Sequence, residues 1–229
     1  IPIIEYELPN KPHDIAENYD SRKDYRRRAA EQMNKRANNF RRSCRTRATM
    51  ETARRFIGKT FYLPWSLDYR GRAYPIPPFL TPQDTDFGKS LIRFAEEGEV
   101  TPIAEEWLAF QVATTYGLDK ASIEERLKWT KDNTSLITRI ALDPLGQISE
   151  WEVAEEPFQF AAACDEYYQC VISKTKKTTG LMVATDATCS GLQILAGLAK
   201  DASTARLVNV LPGDRPSDAY KAVAEEALP

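Results

Sequence analysis

The chain has 229 residues, 42% of them hydrophobic, with 31 Lys or Arg against 33 Asp or Glu. This length and composition indicate a globular protein that can bury one large or two small cores. Four scattered cysteines and a single histidine lack metal-ligand spacing, which argues against a zinc site and a disulfide framework. No apolar stretch approaches the ~20 residues of a membrane span.

The near balance of charge hides a basic segment in the first quarter of the chain. Residues 22–59 contain 14 Lys or Arg and three Asp or Glu, a net charge of +11, so the remaining residues carry −13. Such a segment binds polyanions in a salt-dependent way, because binding releases counterions. The alternative is a solvated helix face without a ligand.

A long helix is the first element predicted after a proline-containing connector. Ser21 with Asp24 predicts a capping-box start, and Gly58 predicts the end. Over ~36 residues the helix would extend roughly 50 Å. We expect a thin apolar stripe to pack along one side and leave the arginines exposed. The stripe consists of Tyr25, Ala29, Met33, Ala37, Phe40, Cys44 and Ala48.

Two arginines flank a glycine in the sequence DYRGRAYP at residues 68–75. Gly71 lets the backbone come close to a ligand, and each guanidinium can direct two donors onto phosphate or ribose oxygens. We predict that strands carry Arg70 and Arg72. Salt bridges to neighbouring carboxylates are the alternative.

Residues 101–177 are predicted to be mainly helical, with turns at 117–119 and 143–146. The acidic residues of this stretch, Asp165 and Glu166 among them, are spread along helices. Solvated faces are therefore predicted rather than a paired acid and base.

An apolar run at residues 181–185 predicts a buried strand that ends at Asp186, and helical character follows from Leu192. A carboxylate at a strand end suits a magnesium ligand in phosphoryl transfer. The alternative is that Asp186 caps the following helix. A Ser or Cys hydrolase at 188–191 is disfavoured, because His13 is the only histidine and the glycine that precedes the nucleophile in an elbow is missing.

The string DATCSGLQ at 186–193 resembles the first catalytic carboxylate motif of the single-subunit, phage and mitochondrial type DNA-directed RNA polymerases. FYLPWSLDYRGR at 61–72 resembles the start of that family's palm, and GKSL at 88–91 lies at the expected distance beyond it. Further blocks follow in family order as far as RLVNVLP at 206–212. The likeness therefore extends over nearly the whole chain.

This resemblance implies an α+β fragment of a right-hand polymerase, mainly helical with a small, largely antiparallel palm sheet. It assigns 1–60 to a basic helical region at the end of the thumb, 61–100 to the start of the palm and 101–178 to a helical palm insertion. The catalytic strand and following helix take 179–212, and 213–229 begins the fingers. The family's second metal aspartate and its fingers lysine and tyrosine would lie beyond residue 229, so the fragment is expected to be inactive alone.

The resemblance also implies nucleotidyl transfer from ribonucleoside triphosphates to an RNA 3′-OH on a DNA template. Asp186 becomes the catalytic residue, and Asp186 and Ala187 hold Mg²⁺ of a two-metal site whose second carboxylate lies outside this chain. Gly191 occupies the position where related DNA polymerases carry a glutamate that crowds the sugar's 2′ position, which favours ribonucleotides. A tight strand-to-helix turn is the other explanation of Gly191. The implied nucleic-acid or nucleotide-binding residues are Arg70, Arg72, Tyr74, Lys89, Lys120, Ser190, Gly191 and Tyr220.

The expected partners are a DNA template, the RNA product and ribonucleoside triphosphates, with no membrane, and the parent enzyme is expected to be a monomer. The expected location is the cytoplasm of a phage-infected or bacterial cell, with an organelle matrix as the alternative. A non-catalytic nucleic-acid-binding module, built on the basic helix and an arginine-bearing sheet with Asp186 as a cap, is the alternative function. Magnesium dependence separates the two functions.

Overall fold

The computed structural model describes residues 7–185, 187, 189–213 and 216–227. It divides into two compact units, Ile1–Leu91 and Ile92–Pro229. No helix in the described part of the chain is long and apolar enough to cross a membrane.

The first unit is dominated by α1, Tyr19–Phe56, which confirms the long predicted helix. The predicted capping residue is wrong: Asn18 accepts the N–H groups of Asp20 and Ser21, whereas the Ser21 hydroxyl donates to Asp14 at 2.7 Å. The predicted apolar stripe is covered only in part: Met33, Phe40 and Cys44 are exposed, and the other four residues are half-buried. The physical reason is that the side-chain contacts of α1 with the rest of the described unit lie near its ends, at Ser21, Arg22 and Phe56, and past the middle of the stripe, at Arg45.

A two-stranded hairpin and a short helix follow α1 in the first unit. Strands β1, Trp65–Leu67, and β2, Ala73–Pro75, form an antiparallel hairpin in which Ser66 lies opposite Tyr74. A short helix, α2, covers Asp86–Ser90 and begins after the N-cap Thr85.

The second unit is a helical layer with a two-stranded antiparallel ladder. The ladder pairs β3, Gly98–Glu99, with β4, Thr178–Thr179. Between these strands lie α3 (Pro102–Tyr116), α4 (Ile123–Asp132), α5 (Thr134–Leu142), α6 (Ile148–Trp151), α7 (Pro157–Tyr167) and a π-helical turn (Tyr168–Ile172). After β4 come α8 (Ser190–Ala199), α9 (Ala202–Leu207) and α10 (Ala219–Ala227).

The main core of this unit forms where α3, α5 and α7 meet. Leu108, Ile137 and Phe160 are almost completely buried there, and the Tyr116 ring lies 5.3 Å from that of Phe160 between centroids. A smaller apolar cluster joins α8, α9 and α10 around Val208. The mixed α+β class and the helical stretch predicted for 101–177 are confirmed.

Candidate functional site

The segment before the predicted catalytic aspartate does not have the predicted conformation. Residues 181–185 form no strand, and β4 ends before them. The physical reason is that a strand needs a neighbour, and among the described residues none lies alongside 181–185 to extend the ladder. Asp186 and Thr188 lie outside the described residues, whereas Ala187 between them is exposed.

A buried carboxylate fixes the start of this segment. Glu166 of α7 is 1% exposed, and its Oε1 accepts hydrogen bonds from Lys176 Nζ at 2.8 Å and Thr179 Oγ1 at 2.7 Å. Its Oε2 forms an ion pair with the Arg93 guanidinium. Lys176 also lies 3.0 Å from Glu97 Oε1. The predicted solvated position of Glu166 is therefore wrong: two cations and a hydroxyl compensate its buried charge and tie β4 to α7.

Backbone hydrogen bonds hold the same segment from its other side. Phe94 N–H donates to Gly180 O at 2.8 Å, and Val100 N–H donates to Lys177 O at 2.9 Å. A Cβ on Gly180 would lie 2.6 Å from Phe94 O. Glycine is therefore required where the chain leaves β4 towards Asp186.

Helix α8 begins four residues after Asp186 in the sequence, at Ser190. Its N-cap is Cys189, so the helix-cap position is not that of Asp186. Ser190 is the first helical residue and is exposed. Gly191 has no positive φ, and among the described residues a Cβ there would meet no heavy atom within 4 Å other than its chain neighbours and the backbone of its own helix. The described surroundings leave open space beside Gly191.

Lys120 lies at the tip of the loop that joins α3 to α4. Its side chain is 87% exposed and its Nζ lies 2.7 Å from Asp119 Oδ2. The hydrogen bond and charge of Asp119 raise the pKa of Lys120, and the charges of Asp218 and Glu155 add to this. Lys120 is therefore a cation at neutral pH.

Tyr220 belongs to the first turn of α10, where Asp218 Oδ1 accepts its backbone N–H at 3.0 Å. A hydrogen bond with the Cys189 side chain raises the pKa of the Tyr220 phenol. The contact joins the start of α10 to the start of α8. Lys120, Ser190, Gly191 and Tyr220 all belong to the second unit.

The arginines of the first unit lie in the hairpin loop between β1 and β2, so the prediction that strands carry them is wrong. Asp68 Oδ1 accepts the N–H of Arg70 at 2.8 Å and that of Arg72 at 2.9 Å, which curls the chain into a loop. Asp68 Oδ2 lies 3.2 Å from the Arg70 guanidinium. These hydrogen bonds, that of the Arg72 N–H above all, lower the pKa of Asp68. Gly71 adopts a φ of 77° that glycine favours.

Two further predicted residues lie near this hairpin in sequence. Tyr74 of β2 is 38% exposed, and Lys89 of α2 is half-buried. The segment before α2 is held by Asp84, whose buried Oδ1 accepts two hydrogen bonds from the Arg45 guanidinium at 2.8 and 3.2 Å. Arg45 is therefore a structural residue that joins α1 to the start of α2.

The other cations of α1 differ in their ion pairs. Four near its ends lie within 4.0 Å of an acidic side chain on the same helix: Arg27, Arg28, Arg54 and Arg55. Residues 32–50 contain no Asp or Glu. Five exposed cations in this middle section, the central cations, have no ion pair within the described parts of the chain: Lys35, Arg36, Arg41, Arg42 and Arg47.

The described residues contain no group of three or more His, Cys, Asp or Glu side chains placed to hold a metal ion. All four cysteines are free. Burial raises the pKa of the Cys164 and Cys170 thiols, so both are protonated and unreactive at neutral pH.

Sequence reasoning missed three residues that support the site: Glu166, Asp84 and Arg126. Each is a charged side chain that is buried, and its hydrogen-bond partners lie far away in the sequence or on the backbone of a loop. The one available signal was the position of Glu166 within the largely apolar helix α7.

Comparisons with known proteins agree with the resemblance in the sequence. A family model described as DNA-dependent RNA polymerase matches residues 99–228. The mitochondrial DNA-directed RNA polymerase of Neurospora crassa is 39% identical over 178 residues, which are 77% of this chain and 12% of that protein. The DNA-directed RNA polymerase of Enterobacteria phage K11 is 33% identical over 228 residues, 99% of this chain and 25% of that protein. In Arabidopsis thaliana, DNA-directed RNA polymerase 2, chloroplastic/mitochondrial, is 31% identical over 96% of this chain and 22% of its own length. The chain spans a quarter or less of the length of these relatives.

Proposed function

Because the chain belongs to the single-subunit DNA-dependent RNA polymerase family, we propose that it supplies the first part of the palm to an enzyme that copies DNA into RNA. In this reaction the RNA 3′-OH attacks the α-phosphate of a ribonucleoside triphosphate, and the bond to pyrophosphate breaks. Phages and organelles are both sources of the relatives, so a phage-infected or bacterial cytoplasm and an organelle matrix are both compatible locations.

A divalent metal cofactor is general in this family. We assign magnesium to Asp186 and the backbone carbonyl of Ala187, because Mg²⁺ takes oxygen ligands and keeps several waters. We assign the second carboxylate of the two-metal site to a segment outside these 229 residues, as the resemblance to the family implies. When bound, the metal would neutralise charge on the transferring phosphoryl group.

The observation that carries the proposal is the hydrogen bond between the Tyr220 and Cys189 side chains, which joins the starts of α10 and α8 in the unit to which Lys120 and Gly191 also belong. Lys120 is an exposed ammonium suited to a triphosphate. Tyr220 is 76% exposed and offers a ring and a hydroxyl to a nucleotide. The open space beside Gly191 would admit a ribose 2′-OH.

We assign the nucleic-acid backbone to the first unit. The central cations of α1 form no ion pair within the described residues, so their charge is available to phosphates. Arg72 is exposed beside the Asp68 loop and presents a second basic position.

The catalytic assignment is tested by Asp186→Asn in the full polymerase chain proposed to contain these residues. Asparagine keeps the shape but removes the charge that would bind magnesium, so nucleotide addition should fall by orders of magnitude while binding of a DNA–RNA hybrid persists. Asp201→Asn is a matched control, because Asp201 caps α9 and asparagine caps helices equally well. Near-normal nucleotide addition by Asp186→Asn contradicts the assignment and favours a non-catalytic nucleic-acid-binding module.

The nucleic-acid assignment is tested on the 229-residue chain with a DNA–RNA hybrid at several salt concentrations. We expect binding that falls steeply with salt, and a triple Arg41→Ala, Arg42→Ala, Arg47→Ala variant whose log–log salt slope is smaller by up to about three. The matched control replaces Arg27, Arg28 and Arg54 by alanine, because each of these arginines forms an ion pair with an acidic side chain of the same helix. If both triple variants lose the same affinity for the hybrid, net charge alone, and not the central cations, determines binding.

A further inference from the structure

Arg126 of α4 is an arginine buried without an acidic partner. It is 7% exposed, and no ion pair reaches it within the described residues. Its guanidinium carbon lies 4.5 Å from the centroid of the Phe110 ring. Its Nη1 donates to Thr114 Oγ1 at 3.0 Å. Burying a guanidinium is costly, so its hydrogen bonds identify what the residue holds in place.

The remaining two hydrogen bonds of Arg126 go to the loop that carries Lys120. Nη2 donates to Asp119 O at 2.6 Å and Nε donates to Ala121 O at 3.1 Å. These carbonyls stand immediately before and after Lys120 in the chain. A rigid planar group thus fixes the backbone on both sides of that lysine.

The rest of the loop is held independently at its two ends. Gly117 closes α3 with a φ of 129°. Ser122 caps α4 in a capping box with Glu125. Within the loop, the Leu118 N–H donates to Ala113 O and the Ala121 N–H donates to Leu118 O, both at 3.1 Å. Arg126 adds the two side-chain hydrogen bonds to the carbonyls that flank Lys120.

We propose that Arg126 is a positioning residue that aims Lys120 at the triphosphate of the incoming ribonucleotide. The proposal rests on the nucleotide-binding role assigned to Lys120 above. Lysine at position 126 would keep the charge but lacks the fork that spans two carbonyls, so Arg126→Lys is the informative variant.

The experiment measures KM for ribonucleotides and kcat in the full polymerase chain for Arg126→Lys, Lys120→Ala and the double variant. We expect each single change to raise KM on the order of tenfold with a smaller change in kcat, as for loss of one charge-assisted hydrogen bond. The double variant should be no worse than Lys120→Ala, because Arg126 acts through Lys120. The proposal is overturned if the increase in KM of the double variant equals the product of the two single increases. It is also overturned if Arg126→Lys leaves KM unchanged.

Two controls separate positioning from stability. Arg139→Lys changes an exposed arginine that pairs with Glu150 in the same unit, and its KM should stay unchanged. Thr114→Val removes one hydrogen bond of Arg126 without changing its charge, and should raise KM by a few-fold even if Arg126→Lys folds poorly. An unchanged KM in Lys120→Ala contradicts the nucleotide role of Lys120 as well, whereas absence of nucleotide addition by the unaltered full polymerase chain contradicts the proposed function itself.

Discussion

Replacing Glu166 by glutamine removes one buried negative charge while keeping the length of the side chain. In the native unit both carboxylate oxygens face donors: Lys176 and Thr179 on one side and Arg93 on the other. A glutamine amide has only one accepting oxygen, so its NH₂ group must face a cation in either orientation. The Thr179 hydroxyl can turn to accept a hydrogen bond, but neither cation can.

The magnitude follows from the burial of the three charges. Breaking a buried ion pair costs about 3–5 kcal/mol, because the remaining charge loses its partner. Arg93 and Lys176 keep side-chain exposures of 46% and 21%, so water can compensate them in part. We therefore expect a loss at the lower limit, about 3 kcal/mol in the free energy of unfolding of the second unit, or roughly 6–12 °C in Tm.

Urea and thermal unfolding followed by tryptophan fluorescence measure this loss. Three of the four tryptophans lie in the second unit and report on it: Trp107, Trp129 and Trp151. The matched control is Glu150→Gln, which breaks an ion pair with Arg139 that is open to solvent and should cost less than about 1 kcal/mol. If Glu166→Gln costs no more than this control, the buried charge does not hold β4 to α7 and the reasoning is refuted.

Three further outcomes are expected. Gly191→Glu should impair use of ribonucleotides more than deoxynucleotides in primer extension, because the added side chain would fill the open space beside Gly191. Arg45→Ala should lower the free energy of unfolding of the first unit by about 2 kcal/mol in urea titrations, since it leaves the buried Asp84 carboxylate without its cation, whereas Arg41→Ala should leave this free energy unchanged. Hydrogen bonds from Thr204 and Ser203 lower the pKa of Asp201 to about 2, so its stabilising contribution is full above the unfolded value of 3.8 and is lost as pH falls towards 2. Asp201→Asn should therefore lose less stability than the native chain between pH 4.5 and 2.5 in urea titrations.

The helices could be predicted because their signals are local. Ser122 with Glu125, Thr101 before Pro102, and the spacing of apolar residues are all readable within one turn of chain. The start of α1 was misassigned because two polar residues compete for the same orphan N–H groups, and only the contact of Ser21 with Asp14 removes it from the competition.

The irregular conformation of residues 181–185 and the burial of Glu166 could not be predicted, because both depend on contacts between residues that are distant in sequence. Whether residues 181–185 form a strand depends on a neighbour that periodicity does not reveal. A glutamate in a helix is usually solvated, and Glu166 is not, because Arg93 and Lys176 reach it from distant parts of the sequence. The Arg70–Gly71–Arg72 motif identified a candidate ligand site, but Asp68 decides that it is a loop.

Three buried charges support the three segments that carry the candidate site residues. Asp84 holds the start of α2, Glu166 holds the approach to Asp186, and Arg126 holds the loop of Lys120. Directional bonds suit this task, since a misplacement of about 1 Å can cost about 10²-fold in rate, whereas apolar contacts tolerate small shifts.

These buried charges differ in their exposure to solvent from the surface that we assign to nucleic acid. Salt screens exposed charges over about 10 Å at 0.1 M and buried pairs much less. The central cations of α1 are exposed, whereas the Glu166 and Asp84 carboxylates are buried. Raising salt from 0.05 to 0.5 M should therefore release a DNA–RNA hybrid while the urea midpoints of both units stay unchanged. Parallel loss of hybrid binding and of stability over this range would mean that the same exposed charges serve both tasks.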